Sequence, residues 1–330
     1  MRILVLTQRV PDDALPEDRD VLVQREVVSE ALRSRGHQVE HATCDPDLGP
    51  LLARLRDAPP DVVFNLVESL AGDDMLQVVP TTLVEALGLP CTGCSARALQ
   101  DTNDKLAAKR LMLRHGIPTP PWVEANATRA QDFVPGRYII KPARCHASVG
   151  IDDHSVTPPL ESQAEALSAL ELREDAIGAP CFAELFIDGR EINVSLLQTA
   201  NGPQVLALAE IDFSMFPPGR PHIVGYAAKW DAAAPEYHAT PRRFWSDDEA
   251  PALATEIRRL AQELWERLSL RGYARVDLRV DASERPWVLE VNANPCLSPD
   301  GGFVAAAAYR GLEADDLYAT IVDAAIRPRE

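Results

Sequence analysis

Residues 274–294 read ARVDLRVDASERPWVLEVNAN, in which two runs rich in Val and Leu flank a polar segment that ends in proline. The runs at 275–280 and 287–292 have the composition of β-strands, and the segment DASERP at 281–286 has the composition of a turn. The stretch therefore predicts a β-hairpin with a loop of medium length.

The predicted hairpin carries its polar side chains on one face. Because side chains alternate between the two faces of a strand, Arg275 and Asp277 share a face of the first strand. Glu290 and Asn292 share a face of the second. A turn centred between residues 283 and 284 places Asp277 opposite Glu290. The same register places Arg275 opposite Asn292. The other face is expected to be apolar and to carry Val276, Leu278, Leu289 and Val291.

Two carboxylates and an amide oxygen this close together need a cation, because like charges side by side on strands are destabilising. Hard oxygen ligands of this kind hold Mg²⁺, usually beside the phosphates of a substrate. The guanidinium of Arg275 in the same place suits an anionic oxygen. A surface hairpin with solvated charges is the alternative, since exposed charged faces are common.

Two motifs in this stretch, Arg275-Val-Asp277 and the run LEVNANP at 289–295, resemble the metal-binding signature of ATP-grasp enzymes, specifically of the D-alanine:D-alanine ligase-like branch. The resemblance extends from about residue 61 to residue 311 through several motifs in the same order. It implies an ATP-grasp fold, in which a doubly wound α/β domain is followed by two α+β subdomains that clamp ATP. It also implies that two Mg²⁺ ions, with Mn²⁺ as an alternative, are held by Asp277, Glu290 and Asn292.

The 330 residues, 46% hydrophobic and 25% charged, match globular averages and allow two or three domains. The resemblance divides them into a Rossmann-like domain at 1–100, an ATP-binding subdomain at 101–190 and a metal-binding subdomain at 191–330. The net charge of −17 argues against nucleic acid or an anionic membrane as a partner. Only four lysines occur, so their positions are informative: Lys105, Lys109, Lys141 and Lys229.

A cytoplasmic location is expected, because the first apolar run is too short for a signal peptide and no later run has the length of a membrane span. The six cysteines are scattered among apolar neighbours. The C-x-x-C motif at Cys91 and Cys94 has no second pair, so free thiols are expected rather than a zinc site.

Residues 1–100 alternate the patterns of strands and helices. Short apolar runs at 3–6, 39–42 and 62–66 suit buried parallel strands, which predicts a doubly wound α/β domain. No G-x-G-x-x-G motif follows the first run, so NAD binding is disfavoured. Helical patterns occupy 20–35, 50–56 and 74–87.

A helix is predicted over 104–115, with Thr102 or Asn103 as its cap. The proline-rich segment at 117–122 then marks a domain boundary. The order Asn-Asp-Lys, helix, Gly-Ile-Pro-Thr-Pro is highly similar to the entry into the family's ATP-binding domain. That match implies that Lys105 contacts the phosphates of ATP, whereas the helical pattern alone predicts only an exposed lysine.

The segment KPARCHASVG at 141–150 ends a predicted strand and resembles the family's phosphate-covering loop. In that loop a lysine reaches the phosphates, and small residues let backbone N–H groups approach them. Lys141, Ser148 and Gly150 match the family pattern. The resemblance therefore implies that Lys141 binds ATP and that Ser148 belongs to the catalytic group.

Residues 182–195 have the pattern strand, connector, strand. By resemblance, Glu184 and the backbone of Phe186 and Ile187 contact the edge of the adenine. Glu191 accepts hydrogen bonds from the ribose hydroxyls. Without the family, the two glutamates would be ordinary acids at strand ends.

Residues 212–243 form a predicted loop rich in proline and aromatic residues, and a loop of this length typically serves as a lid. Tyr226-Ala-Ala-Lys229 resembles the Tyr-x-x-Lys motif of the family's lid. In that motif the lysine approaches the γ-phosphate, so Lys229 is predicted to bind ATP and to act in catalysis. A charged helix is predicted at 160–173 and an amphipathic helix at 246–268.

Substrate contacts are predicted at both ends of the chain. Asp18 or Glu17 lies in a segment that loosely resembles the family's acidic N-terminal motif, which accepts the substrate amine. Asn65 and Glu68 are expected to face the substrate, in a loop where D-alanine ligases usually have a His-Gly pair.

Several positions depart from the family. Cys145-His146-Ala147 replaces Glu-Gly-Ser, whose serine helps to position the first substrate, and the roles of Cys145 and His146 stay open. Trp230 replaces the usual tyrosine of the lid. Gly301 stands near the position where the family has the serine that holds the second substrate's carboxylate. With Gly302, it either offers backbone N–H groups to a carboxylate or widens the pocket.

The resemblance implies ligation in two steps. A substrate carboxylate takes the γ-phosphoryl group of ATP, and an amine then attacks the acyl phosphate while Arg275 stabilises the oxyanion. We therefore expect a carboxylate-amine ligase for amino-acid-like substrates with an altered pocket. The alternatives are a true D-alanine:D-alanine ligase and a nucleotide-binding module without catalysis. A homodimer is expected because relatives are commonly homodimers.

Overall fold

The structure, a computed structural model, describes residues 1–125 and 133–327. The chain begins with a parallel sheet of order β2-β1-β3, to which a single bridge between Val63 and Cys91 adds a further parallel contact. Its strands are β1 (Arg2–Gln8), β2 (Gln38–Cys44) and β3 (Val62–Asn65), and the helices around it are α1 (Pro16–Ser34), α2 (Gly49–Asp57) and α3 (Val78–Ala86).

The alternating side chains of β1 explain why both faces of this sheet are covered. Ile3 and Val5 pack towards α1, and Leu4 and Leu6 pack towards α2 and α3. A helix from the far end of the chain, α11 (Ala314–Ile326), packs beside α1 on the first face. A strand buried on both faces reads as a continuous apolar run, which confirms the predicted doubly wound α/β arrangement.

Two helices lead out of this sheet, α4 (Ala96–Asn103) and α5 (Lys105–Arg114). The cap predicted for α5 is wrong, because Thr102 and Asn103 end α4, a helix that the pattern did not predict. The cap is Asp104, whose extended backbone separates the two helices and whose carboxylate accepts from the N–H of Ala107 at 3.0 Å.

A small antiparallel sheet of order β4-β6-β5 follows, covered by α6. The predicted start of α6 at residue 160 is wrong, because the backbone of Leu160 instead pairs with Gly136. Ser162 caps α6, and Gly178 ends it in a left-handed conformation. The elements are β4 (Trp122–Val123), β5 (Tyr138–Pro142), α6 (Gln163–Ile177) and β6 (Cys181–Leu185).

The second half of the chain forms a five-stranded antiparallel sheet of order β11-β10-β7-β8-β9. One face packs against α9 (Pro251–Arg267) through an apolar stripe that includes Ile257, Leu260 and Leu264. The strands are β7 (Arg190–Thr199), β8 (Gly202–Ile211), β9 (Arg242–Phe244), β10 (Tyr273–Val280) and β11 (Pro286–Asn292). Between β8 and β9 the predicted loop contains α7 (Tyr226–Trp230) and α8 (Pro235–His238), and α10 (Gly302–Tyr309) precedes α11.

The β10–β11 hairpin has the predicted register, with Asp277 opposite Glu290. Arg275 also lies opposite Asn292, as predicted. A bulge then shifts the pairing, so that Leu278 lies opposite Val288. Leu289 is the extra residue of this bulge, so the prediction that it belongs to the apolar face is wrong. Val288 is buried in the core instead, and Leu289 lines the cavity on the polar side of the hairpin.

Because of the bulge, truncating two adjacent side chains is expected to lower the stability by different amounts. We expect Val288→Ala to lower the free energy of unfolding by about 2 kcal/mol, because it removes a fully buried side chain. Leu289→Ala should cost less than about 1 kcal/mol, since this side chain lies outside the core. Urea denaturation of the two variants measures the difference. A larger loss for Leu289→Ala would show that the bulge is misplaced.

Candidate active site

A cavity lies between the small sheet and the five-stranded sheet. Residues from the 141–150 loop, the connector after β6, α7 and the β10–β11 hairpin line it. The residues predicted for nucleotide binding and catalysis that line the cavity are Lys105, Lys141, Ser148, Glu184, Phe186, Ile187, Glu191 and Lys229, together with Asp277 and Glu290 of the predicted metal set.

Lysine side chains make one wall of this cavity cationic. Lys105 opens α5 and donates to the backbone oxygen of Cys145, and its Nζ lies 3.9 Å from Oε2 of Glu290. Lys141, near the end of β5, and Lys229, on α7, line the same space. Anionic groups such as phosphates suit a cavity with this charge distribution.

The fourth lysine, Lys109, supports the wall from behind and was not predicted. It is fully buried, and its Nζ donates to Glu184 at 2.5 Å and to Thr119 at 2.6 Å. The other carboxylate oxygen of Glu184 accepts from Lys141 at 2.5 Å. Burial opposes ionisation, but Lys109 and Lys141 hold the pKa of Glu184 below its usual value. The position of Lys109, one helical turn after Lys105, was the only feature of the sequence that could have indicated this role.

The predicted metal ligands meet on the polar face of the hairpin. Both oxygens of Asp277 accept from Arg275 at 2.7 Å, and Asn193 of β7 donates to Asp277 at 2.8 Å. The amide oxygen of Asn292 accepts from the N–H of Asn294 at 2.9 Å. Carboxylate and amide oxygens keep further lone pairs, so this all-oxygen set fits Mg²⁺.

Glu290 lies beside the lysine wall. Burial alone would raise its pKa, but Lys105, His146, Lys229 and Lys141 lower it to about 2. The residues that the structure describes contain no group of three His, Cys, Asp or Glu side chains able to hold an ion. A cation here would therefore depend on two carboxylates, an amide and oxygen atoms of a bound ligand.

Arg279 organises the end of the cavity predicted for adenine and ribose. It is buried, its guanidinium lies 5.0 Å from the ring centre of Phe186, and it donates to the backbone oxygen of Ile187 at 2.9 Å. It also lies 3.4 Å from Glu191. Arg279 was not predicted as a site residue, although alternation along β10 places it on the same face as Arg275.

The 141–150 loop and α7 are joined across the mouth of the cavity. Ser148 donates to the backbone oxygen of Val224 at 3.0 Å, and Trp230 donates its indole N–H to the backbone oxygen of Ala147 at 2.9 Å. Ala147 and Ser148 have positive φ angles of 55° and 61°. This strained loop conformation is held by the contacts to the lid.

His146 lies at the centre of the same loop. Its backbone N–H donates to the carboxylate of Asp74 at 2.8 Å, and its ring lines the cavity. Burial of the ring, with Lys105 nearby, lowers the pKa of His146 to about 4, so the imidazole is neutral at physiological pH.

The predicted substrate residues are brought to the site unequally. Glu68 and Asp18 lie within electrostatic reach of each other, but neither is among the residues that line the cavity. The structure does not bring Asn65 to the cavity, because it is 4% exposed and its side chain is bonded to Thr81 and to the N–H of Val67. Asn65 instead braces the turn after β3.

Gly301 precedes α10, and Gly302 is the first residue of this helix. The backbone N–H of Gly301 donates to the backbone oxygen of Ser298 at 2.8 Å, so it is not available to a ligand. A Cβ at position 301 would lie 2.8 Å from that oxygen. This close approach of two backbone segments explains why the residue is a glycine. Gly302 borders the side chain of Arg242.

Comparisons with known proteins agree with this geometry. A family model described as D-ala D-ala ligase C-terminus matches residues 112–323. The uncharacterized protein y4sG of Sinorhizobium fredii is 33% identical over 306 residues, which cover 90% of this chain and 85% of that protein. The D-alanine–D-alanine ligase of Moorella thermoacetica is 32% identical over 313 residues, covering 91% and 93%.

Solved structures agree with the fold. The structure of D-alanine–D-alanine ligase from Bacillus anthracis complexed with ATP has a TM-score of 0.74 at 20% identity, covering 99% of this chain and 98% of that one. An N-terminal parallel sheet followed by two antiparallel sheets around a cavity is thus the ATP-grasp fold that the sequence predicted. From the matched family model and these relatives, the chain belongs to the D-alanine–D-alanine ligase-like family of ATP-grasp ligases.

Proposed function

We propose that this protein is an ATP- and Mg²⁺-dependent ligase that joins the carboxylate of one amino-acid-like substrate to the amine of another through an acyl phosphate. One observation carries the proposal. A single cavity places the lysine wall beside the carboxylates of Asp277 and Glu290, in a chain of this ligase family. The family supports an enzyme over a nucleotide-binding module without catalysis.

The nucleotide would lie along the lysine wall. Lys105, Lys141 and Lys229 would offset the charge of its phosphates, and Glu191 would accept hydrogen bonds from the ribose hydroxyls. Phe186 and Ile187 would contact the adenine. Because Glu184 is held by two lysines, its main part in this scheme is to fix Lys141, and any adenine contact would be additional.

Asp277, Glu290 and Asn292 would hold Mg²⁺, which when bound offsets charge on the transferring phosphoryl group. Arg275 uses its Nε and one terminal nitrogen for Asp277. Its remaining N–H donors are then available to the oxyanion that forms when the amine attacks the acyl phosphate. Ser148 and Trp230 hold the loop and α7 together, which keeps water from the acyl phosphate.

The identity of the two substrates is a separate matter. The relatives named D-alanine–D-alanine ligase make two molecules of D-alanine the second candidate. Ala147, Trp230 and Gly301 differ from the family pattern, which favours other amino-acid-like substrates. The described residues contain no helix long and apolar enough to span a membrane. The cytoplasmic location, the homodimer and the three domain boundaries stay predictions.

Phosphate release from Mg-ATP tests the proposed function. We expect release to depend on added amino acids, singly or in pairs, because the carboxylate must accept the phosphoryl group. Release with D-alanine alone would establish the second candidate. If the protein binds ADP by calorimetry but no amino acid stimulates release, the proposed ligase activity is wrong.

Lys229→Met should lower kcat by about 10²-fold or more, because a cation near the transferring phosphoryl group acts mainly in the transition state. Lys229 is exposed, so thermal unfolding should stay unchanged. Lys229→Arg, which keeps the charge, should recover part of kcat. Equal kcat for the wild-type protein and Lys229→Met would remove Lys229 from the catalytic group.

Lys109→Met should lower the free energy of unfolding by about 3 kcal/mol, because it leaves the buried carboxylate of Glu184 with only one partner. It should also weaken ADP binding, since Lys141 loses its fixed position. The neighbouring Arg110→Met is the matched control, because Arg110 pairs with Glu124 at the surface and its loss should cost less than about 1 kcal/mol. Similar losses in both variants would contradict the supporting role of Lys109.

A further inference from the structure

Five carboxylates of the N-terminal part of the chain lie together beside the 141–150 loop and the lid, and we call them the acidic wall. Glu17, Asp18 and Asp20 belong to α1, Glu68 follows β3, and Asp74 begins a short 3₁₀-helix before α3. Folding brings them together from three separate segments of the chain. The proposed ligase chemistry uses one acid of this group at most, to accept a substrate amine.

The hydrogen bonds inside the acidic wall come from neutral donors. The side-chain nitrogen of Gln24, which is buried, donates to Asp20 at 3.0 Å and to Glu68 at 2.8 Å. Ser298 donates to Asp20 at 2.6 Å, and the thiol of Cys296 lies 3.0 Å from Asp20. These contacts orient the carboxylates without neutralising them.

The charges that act most strongly on Glu68 are all negative. Burial raises its pKa to about 7, Gln24 opposes the rise, and Asp20, Asp74 and Asp18 add to it. Burial raises the pKa of Asp18 as well, with Glu17 adding to the effect. Glu290 of the hairpin has lysines as its neighbours and a lowered pKa. The acidic wall and Glu290 therefore lie in opposite electrostatic surroundings.

The acidic wall adjoins residues that line the cavity. Asp74 accepts from the backbone N–H of His146, a residue of the cavity lining. Glu17 accepts from the hydroxyl of Tyr226 at 2.6 Å, at the start of the same short helix that carries Lys229. The loop and the lid thus meet the acidic wall where a substrate would lie next to the phosphates.

Gln8 is an independent sign that a ligand completes this region. Its side chain is 5% exposed, and its amide oxygen accepts from the N–H of Glu68 at 3.1 Å. Its amide nitrogen is buried and has no partner among the described residues. A buried donor without an acceptor is costly, and a carboxylate or carbonyl oxygen of a ligand would satisfy it.

We infer that the acidic wall selects an amino-acid substrate that carries a second cationic group, an ammonium or guanidinium on its side chain. The inference rests on the proposed ligase function and names its substrate class. One acid of the wall suffices for the α-ammonium group of any amino acid. Glu68, with Asp20 and Asp74 around it, provides the charge for the second cation. Gln8 provides a donor for an oxygen of the same ligand.

Pairs of amino acids that match in length and differ in charge give the direct test. Ornithine and norvaline, and lysine and norleucine, are compared as both enantiomers in phosphate release from Mg-ATP. We expect kcat/KM to be about tenfold or more higher for the cationic member of a pair. Binding of the same compounds by calorimetry, with ADP present, measures the preference without requiring turnover.

Glu68→Gln removes the charge and keeps the shape of the side chain. It should reduce the ratio of kcat/KM for the cationic member to kcat/KM for the neutral member about tenfold, through KM rather than kcat. Glu171→Gln, an exposed acid on α6, is the control for a general loss of one negative charge. Thermal unfolding of both variants shows whether the fold is retained.

The outcomes separate the inference from the proposed function. Turnover with neutral amino acids, and no preference for ornithine or lysine, would overturn the inference and leave the ligase intact. Absence of turnover, together with calorimetric preference for the cationic compounds that Glu68→Gln abolishes, would support the acidic wall and contradict the ligase. Equal binding of both members of each pair would overturn the inference whatever the turnover.

Discussion

The opposition of Asp277 and Glu290 across the β10–β11 hairpin is the constraint on which the rest of the site depends. Two carboxylates on adjacent strands repel each other unless their surroundings offset the charge. Arg275 and Asn193 do this for Asp277, and the lysines of the cavity do it for Glu290. A protein with a net charge of −17 nevertheless places all four of its lysines around this point.

The lysine wall is held in place by buried contacts rather than by surface ion pairs. Lys109, Glu184 and Lys141 form a chain of charges in which each lysine donates to a different oxygen of the same carboxylate. Removing such groups from water is costly, so they persist only when they are fully hydrogen-bonded. The result is a cationic side chain fixed at the cavity before any ligand arrives, which reduces the ordering cost of binding.

The acidic wall beside the loop and the lid has the reverse character. Its hydrogen bonds come from neutral donors, so a ligand that extends from the cavity to the acidic wall would meet opposite potentials at its two ends. Phosphates are favoured at the lysine wall, and cationic groups are favoured at Glu68. Such complementarity acts on specificity and orientation more than on affinity alone. The contacts of Tyr226 and Trp230 close the lid over the place where the two sides meet.

The amino-acid sequence by itself determined the hairpin, its register up to Asp277, the family and most of the charged residues that line the cavity. These depend on alternation along a strand, on turn composition and on motifs of adjacent residues, all of which are local. The tertiary structure alone decided the bulge that exchanges Val288 and Leu289, the interior position of Asn65 and the donation of the Gly301 N–H to Ser298. It also decided which charges meet. Lys109 and Glu184 are 75 residues apart, and Gln24 and Glu68 are 44 apart. Such contacts depend on how helices and sheets pack against each other, and no local pattern records that packing.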